Sequence, residues 1–192
     1  MEAQNGLKTT GSTGGYINPE PLRLLAKYVD AFSVSIKGFT EDVYKQYCRG
    51  SLKTVLTAME TVRGEGAWLE VVALLIPGVS DDSKQIRWFC EWMFRHLGAD
   101  TPLHFSRFYP SYKLKNLPPT PVSTLEEARK TALSTGLKYV YIGNLPGHNG
   151  GNTYCTKCRS LVVQRIGFRV VSNRVRRGSC PTCGTGLPGR WV

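Results

Sequence analysis

Trp68-Leu-Glu-Val-Val-Ala-Leu-Leu-Ile76, closed by Pro77-Gly78, is the stretch on which the fold turns. Apart from Glu70 it is apolar, it is rich in branched side chains, and it ends at a Pro-Gly breaker. It reads as a strand buried on both faces, the pattern of a parallel sheet covered by helices. Downstream, Asp81/Asp82 open a helix through Leu97 with Ile86, Phe89, Cys90, Met93, Phe94 and Leu97 turned inward, and Gly98 ends it. A strand over 103–108, a proline-rich loop over 110–121, a helix opened by the capping box Ser123-x-x-Glu126, and a strand over 138–142 follow. Upstream lie a helix over 52–62, a break at Arg49-Gly50-Ser51, a helix capped by Thr40, and a strand over 31–37. Before these comes a helix from Asn18-Pro19 to about Tyr28. Residues 1–14 are rich in Gly, Thr and Ser and read as a flexible start.

Strand and helix thus alternate, with strands recurring every 30–35 residues or so. Such repeats require an α/β fold with a parallel sheet, open or barrel-like. The repeating region, 15–144, supplies about half of the roughly 250 residues of a closed eight-unit barrel. The expected architecture is therefore the later part of a partial barrel, exposing an unpaired parallel edge, followed by a different unit over 145–192.

The chain of 192 residues carries 25 Lys and Arg against 14 Asp and Glu, a formal net charge of +11. Every acid lies before residue 139; beyond it there are eight bases and no acid. Such a surface is either simply solvated and partly offset by a metal–thiolate centre, or suited to an anionic partner such as nucleic acid. The longest apolar run, residues 71–77, is far shorter than the roughly 20 residues needed to cross a bilayer. The first twenty residues hold no apolar core of a secretory signal. A cytoplasmic, reducing setting with no membrane partner is expected.

Four of the six cysteines fall in the last 38 residues, as Cys155-Thr-Lys-Cys158 and Cys180-Pro-Thr-Cys183. Between them lies a hairpin candidate about Gly167. Paired C-x2-C knuckles at this spacing are a zinc-ribbon signature. Four thiolates give zinc a closed tetrahedral site with no position left for catalysis, so the metal is expected to be structural. Its binding energy offsets the small core of a unit of about 40 residues. Iron in the same four-thiolate site is the rival metal. Cys48 and Cys90 read as small buried apolar side chains, and His148 as a loop or interface residue.

Several phrases resemble one family. They are Ser35-Ile-Lys37-Gly-Phe39, Leu75-Ile-Pro-Gly-Val-Ser-Asp81, Pro102-Leu-His-Phe-Ser-Arg-Phe-Tyr-Pro110, Leu117-Pro-Pro-Thr-Pro121 and Tyr139-Val-Tyr-Ile-Gly-Asn-Leu-Pro-Gly-His148. With the terminal ribbon and Gly189-Arg-Trp191, they are similar to the C-terminal half of the radical SAM proteins of the AmmeMemoRadiSam system, relatives of pyruvate formate-lyase-activating enzymes. The resemblance implies a partial TIM-like barrel around a [4Fe–4S] cluster and S-adenosylmethionine, whose reductive cleavage gives a 5′-deoxyadenosyl radical. It also implies cofactor contacts at Lys37, at His104 on the C-terminal end of its strand, and at Thr13, where the family's Asn-Gly-Tyr reads Gly14-Gly15-Tyr16.

The family's cluster motif, C-x3-C-x2-C, does not occur in these residues. The expectation is a truncated or split member: substrate-side barrel half plus ribbon, inactive alone, with no catalytic residue of its own. Cluster and S-adenosylmethionine would come only with a missing half, supplied by an upstream radical SAM polypeptide or another protein of the system. The alternative is a basic zinc-ribbon module that binds nucleic acid or serves as a protein scaffold.

Overall fold

The computed structural model describes residues 6–191. Five strands, β1 (Thr10–Thr13), β2 (Ala31–Ile36), β3 (Trp68–Leu75), β4 (Leu103–Arg107) and β5 (Val140–Gly143), form one parallel sheet in the order of the chain. Helices α1 (Pro19–Ala26), α3 (Leu52–Gly64), α4 (Ser83–His96) and α5 (Val122–Ser134) make the crossovers. A short α2 (Glu41–Val43) runs into a π-helical turn over Tyr44–Cys48. The chain is α/β, with the unbroken strand order of a partial barrel.

All these helices pack on one face of the sheet. Phe32, Val34 and Ile36 of β2, Leu69, Val71, Ala73 and Leu75 of β3, and Leu103 and Phe105 of β4 share one core with Val55 and Met59 of α3, Phe89 and Met93 of α4, and Leu125 of α5. The sequence-based reading of β3 as buried on both faces is corrected. Its burial alternates, and Trp68, Glu70, Val72 and Leu74 are half-buried on the side without helices.

Three local expectations also change. Residues 1–5 of the flexible start lie outside the described residues, and within 6–14 the chain forms β1, paired in register from Thr10 with Ala31 to Thr13 with Val34. Thr residues tolerate the extended backbone, and β2 supplies the partner that a Gly-rich segment cannot specify alone. The capping box at Ser123 does not form: α5 begins at Val122 behind Pro121, with no side-chain cap. Phe94, expected inward, is 43% exposed and lies against Gly136. Thr40 and Asp82 do cap their helices, Thr40 Oγ1 accepting from Val43 N–H and Asp82 from Lys84 and Gln85 N–H.

Beyond β5 the chain turns into a second, antiparallel sheet of β6 (Thr153–Tyr154), β7 (Leu161–Ile166) and β8 (Arg169–Asn173). Its core is small: Cys155, Val162, Val163, Cys180 and Leu187. The tail returns to the barrel, where Arg190 Nη2 donates to Gly66 O just before β3.

Candidate functional site

The helix-free face of the sheet and the β7–β8 hairpin enclose a concavity of about 940 Å³. Its floor carries Ser33 of β2, Glu70 and Val72 of β3, His104 and Ser106 of β4, and Tyr141 of β5; the hairpin adds Arg165 and Phe168. Alternation places all the strand residues on one side, since the intervening positions are committed to the helices.

These polar groups are tied together. Glu70 accepts from Trp68 Nε1 at 3.1 Å through Oε1 and from His104 Nε2 at 2.9 Å through Oε2. A carboxylate only accepts, so Nε2 carries the imidazole proton. Burial pushes the Glu70 carboxyl up, but His104, Trp68 and the nearby Arg165 outweigh it and hold it below the usual glutamate range. The His104 ring stacks on Tyr141 at 4.8 Å. Tyr141 OH meets Thr153 Oγ1 at 3.1 Å, and burial pushes its phenol up. Arg165 lies 5.8 Å over the same ring.

The three expected cofactor contacts do not converge. His104 lines the concavity. It is corrected in one respect, being the second residue of β4 rather than at its C-terminal end, which Arg107 occupies. Lys37 follows the end of β2, exposed, its N–H donating to Tyr44 OH. Thr13 ends β1, and its Oγ1 accepts from Gly15 N–H. Neither Thr13 nor Lys37 lines the concavity. At the C-terminal ends of β4 and β5 two quoted phrases meet: Arg107 Nη1 donates to Tyr109 OH, Tyr109 OH to Asn144 O, and Asn144 Nδ2 to Arg107 O. Glu70 was detectable as the one charge in an apolar strand; nothing in the sequence links Arg165 to the barrel.

Of the isolated cysteines, Cys90 is buried, as expected, and burial pushes its thiol up to about 12. Cys48, expected buried, is exposed at the end of the π-helical turn. His148 caps the 3₁₀ turn at Asn149–Gly151 and faces Glu126 at 3.3 Å.

Cys155, Cys158, Cys180 and Cys183 bring their sulfurs within 4.8 Å of one another. Cys155–Cys183 and Cys158–Cys180 stand at 3.6 and 3.7 Å. A disulfide would need about 2.05 Å, whereas sulfurs at about 2.3 Å from one tetrahedral ion stand about 3.8 Å apart. The two knuckles match in backbone: Arg159 N–H donates to Cys155 O and Gly184 N–H to Cys180 O, with φ of 61° at Arg159 and 72° at Gly184. The Ser160 hydroxyl, then the N–H groups of Thr182 and Cys183, favour the Cys180 thiolate and bring its pKa down to about 5. The four sulfurs have the spacing that one tetrahedral metal ion requires. The group does not fit a cluster that must leave one iron open to S-adenosylmethionine, because all four thiolates close on one point.

The family model of the radical SAM superfamily matches residues 1–88. An uncharacterized protein of Methanocaldococcus jannaschii is 43% identical over 183 residues, covering 94% of this chain and 54% of that protein. The chain thus spans about half the length of the curated relative it matches. A domain of a pyruvate-formate lyase-activating enzyme from Bacteroides vulgatus superposes with a TM-score of 0.65 at 14% identity, over 74% of this chain and 84% of that one. A radical SAM methyltransferase from Sphaerobacter thermophilus does so at 0.54 and 16%, over 74% and 43%. The match to the radical SAM superfamily thus lies in residues 1–88 of the chain, and the solved structures share its fold. No helix of the described residues is long and apolar enough to cross a membrane.

Proposed function

We propose that these residues are the substrate-side part of a radical SAM protein of the AmmeMemoRadiSam system, working in the cytoplasm with zinc in the ribbon. The observation that carries this reading is the sheet. Five parallel strands run in chain order, β5 is flanked by the ribbon, and β1 has no neighbour on its outer side among the described residues. A parallel edge of that kind accepts further strands. The polar inner face would then complete a cavity shared with a half that carries C-x3-C-x2-C. The contacts among Arg107, Tyr109 and Asn144 support the family assignment, since they join two of the phrases that carry the resemblance. The sulfur spacing supports a tetrahedral metal, zinc being the reading for a closed structural site, and the free thiols suit a reducing compartment.

The test is co-expression with the polypeptide encoded immediately upstream of Met1, in any frame, that contains C-x3-C-x2-C. Co-elution of the two, and release of 5′-deoxyadenosine from S-adenosylmethionine by the pair under reducing conditions, is expected. The absence of such a reading frame, or a pair that stays apart and silent, contradicts it.

A further inference from the structure

The ribbon does more than staple the end of the chain. Arg165, a half-buried residue of β7, lines the barrel concavity. Its Nη1 donates to Gly151 O at 3.3 Å and to Thr153 Oγ1 at 2.8 Å. Both acceptors are neutral, and no carboxylate of the described residues forms an ion pair with it. The nearest acid of the cavity, Glu70, has each oxygen already engaged, one by Trp68 and one by His104. The ribbon itself contributes eight bases and no acid from residue 139 onward. A guanidinium that lines the concavity and is hydrogen-bonded among the described residues only through Nη1 keeps Nε and Nη2 as donors for a carboxylate or phosphate.

We infer that Arg165 is the anchor of a small organic anion bound in the concavity, so that the metal-ordered ribbon supplies the charged contact of the barrel's ligand site. This rests on the reading of the concavity as the substrate side, but it is tested on the chain by itself. The anion, a carboxylate or a phosphate, pairs with the Arg165 fork, while Ser33, Ser106 and the protonated Nε2 pair of His104 with Glu70 line the rest of the space. Neutral ligands of the same shape leave the guanidinium without a counter-charge and lose that interaction.

The experiment is a ¹H–¹⁵N NMR titration of the zinc-loaded chain with benzoate, phenyl phosphate and neutral benzamide as probes. At least one anion is expected to produce saturable shifts at Arg165 and its cavity neighbours with about tenfold or greater preference over benzamide, the loss of one charge-assisted pair. Whichever anion prevails identifies carboxylate or phosphate as the group. Arg165→Gln is expected to abolish the preference. Arg165→Lys, which keeps the charge without the fork, should retain anion selectivity at reduced affinity. Because Arg165 also clamps the ribbon, Thr153→Val serves as the second variant: it removes one clamp partner and leaves the guanidinium, and it should bind as the wild type does. Unchanged amide signals of the cysteine knuckles verify that each variant is folded. Equal binding of benzamide and both anions, an unaffected Arg165→Gln, or a Thr153→Val as impaired as Arg165→Gln overturns the inference. Failure of the upstream polypeptide to complement the chain would leave this titration unaffected, so the two readings fail separately.

Discussion

Glu70 is the residue on which the inner face of the sheet is organised. It sits among apolar neighbours on β3, yet it is stabilised as a carboxylate by donors from its own strand and the next. Glu70→Gln keeps the shape and removes the charge. For a partly exposed pair screened by solvent, the expected loss of stability is a few tenths to about 1 kcal/mol. The pH dependence has a definite sign. The folded-state pKa is depressed, so the contribution is present above the ordinary glutamate range and is lost as pH falls through the folded value. Urea unfolding of both proteins from pH 7 down to pH 3 should show the difference between them shrinking; a difference that persists or grows in acid would contradict the pairing. Glu70 stood out in the sequence as a lone charge. Thr120 did not, although its hydroxyl donates to Leu75 O and accepts from Phe108 N–H, joining the proline-rich loop to two strands. Its partners are 45 and 12 residues away, and no local pattern encodes them.

Among the elements, β2 to β5 were legible because hydrophobic alternation and Gly or Pro breaks are local signals. β1 was not: Thr10-Gly-Ser-Thr13 has no apolar face, and its pairing with β2 is a tertiary event. The start of α5 was misread for a related reason, since Pro121 sets the entry to the helix before Ser123 can cap it. The four-cysteine unit was legible from its cysteine spacing alone, and its core of five buried residues predicts that it needs a metal to stay folded. Chelation of the metal, or Cys180→Ser, is expected to remove amide hydrogen-exchange protection from residues 153–187 while β2, β3 and β4 keep theirs. Equal loss of protection across the sheet would show that the two units fold as one, and undiminished protection in the ribbon would show that the metal is dispensable.

At the scale of the whole molecule, the singly wound sheet and its polar inner face form the wall of a partial barrel, in which β1 has no outer neighbour among the described residues. The family phrases announced the barrel, whereas the way the ribbon hairpin faces the inner surface could be learned only from the folded chain, because Arg165 meets Tyr141 and Thr153 through space. The cysteines present form a closed four-thiolate site, and radical chemistry at S-adenosylmethionine needs an open iron. The most direct measurement is anaerobic reconstitution of the 192-residue chain with iron, sulfide and S-adenosylmethionine under a strong reductant, with metal analysis and quantification of 5′-deoxyadenosine. One tightly held metal per chain, no four-iron cluster and no 5′-deoxyadenosine are expected. A four-iron spectrum accompanied by 5′-deoxyadenosine release from this chain alone would contradict the assignment.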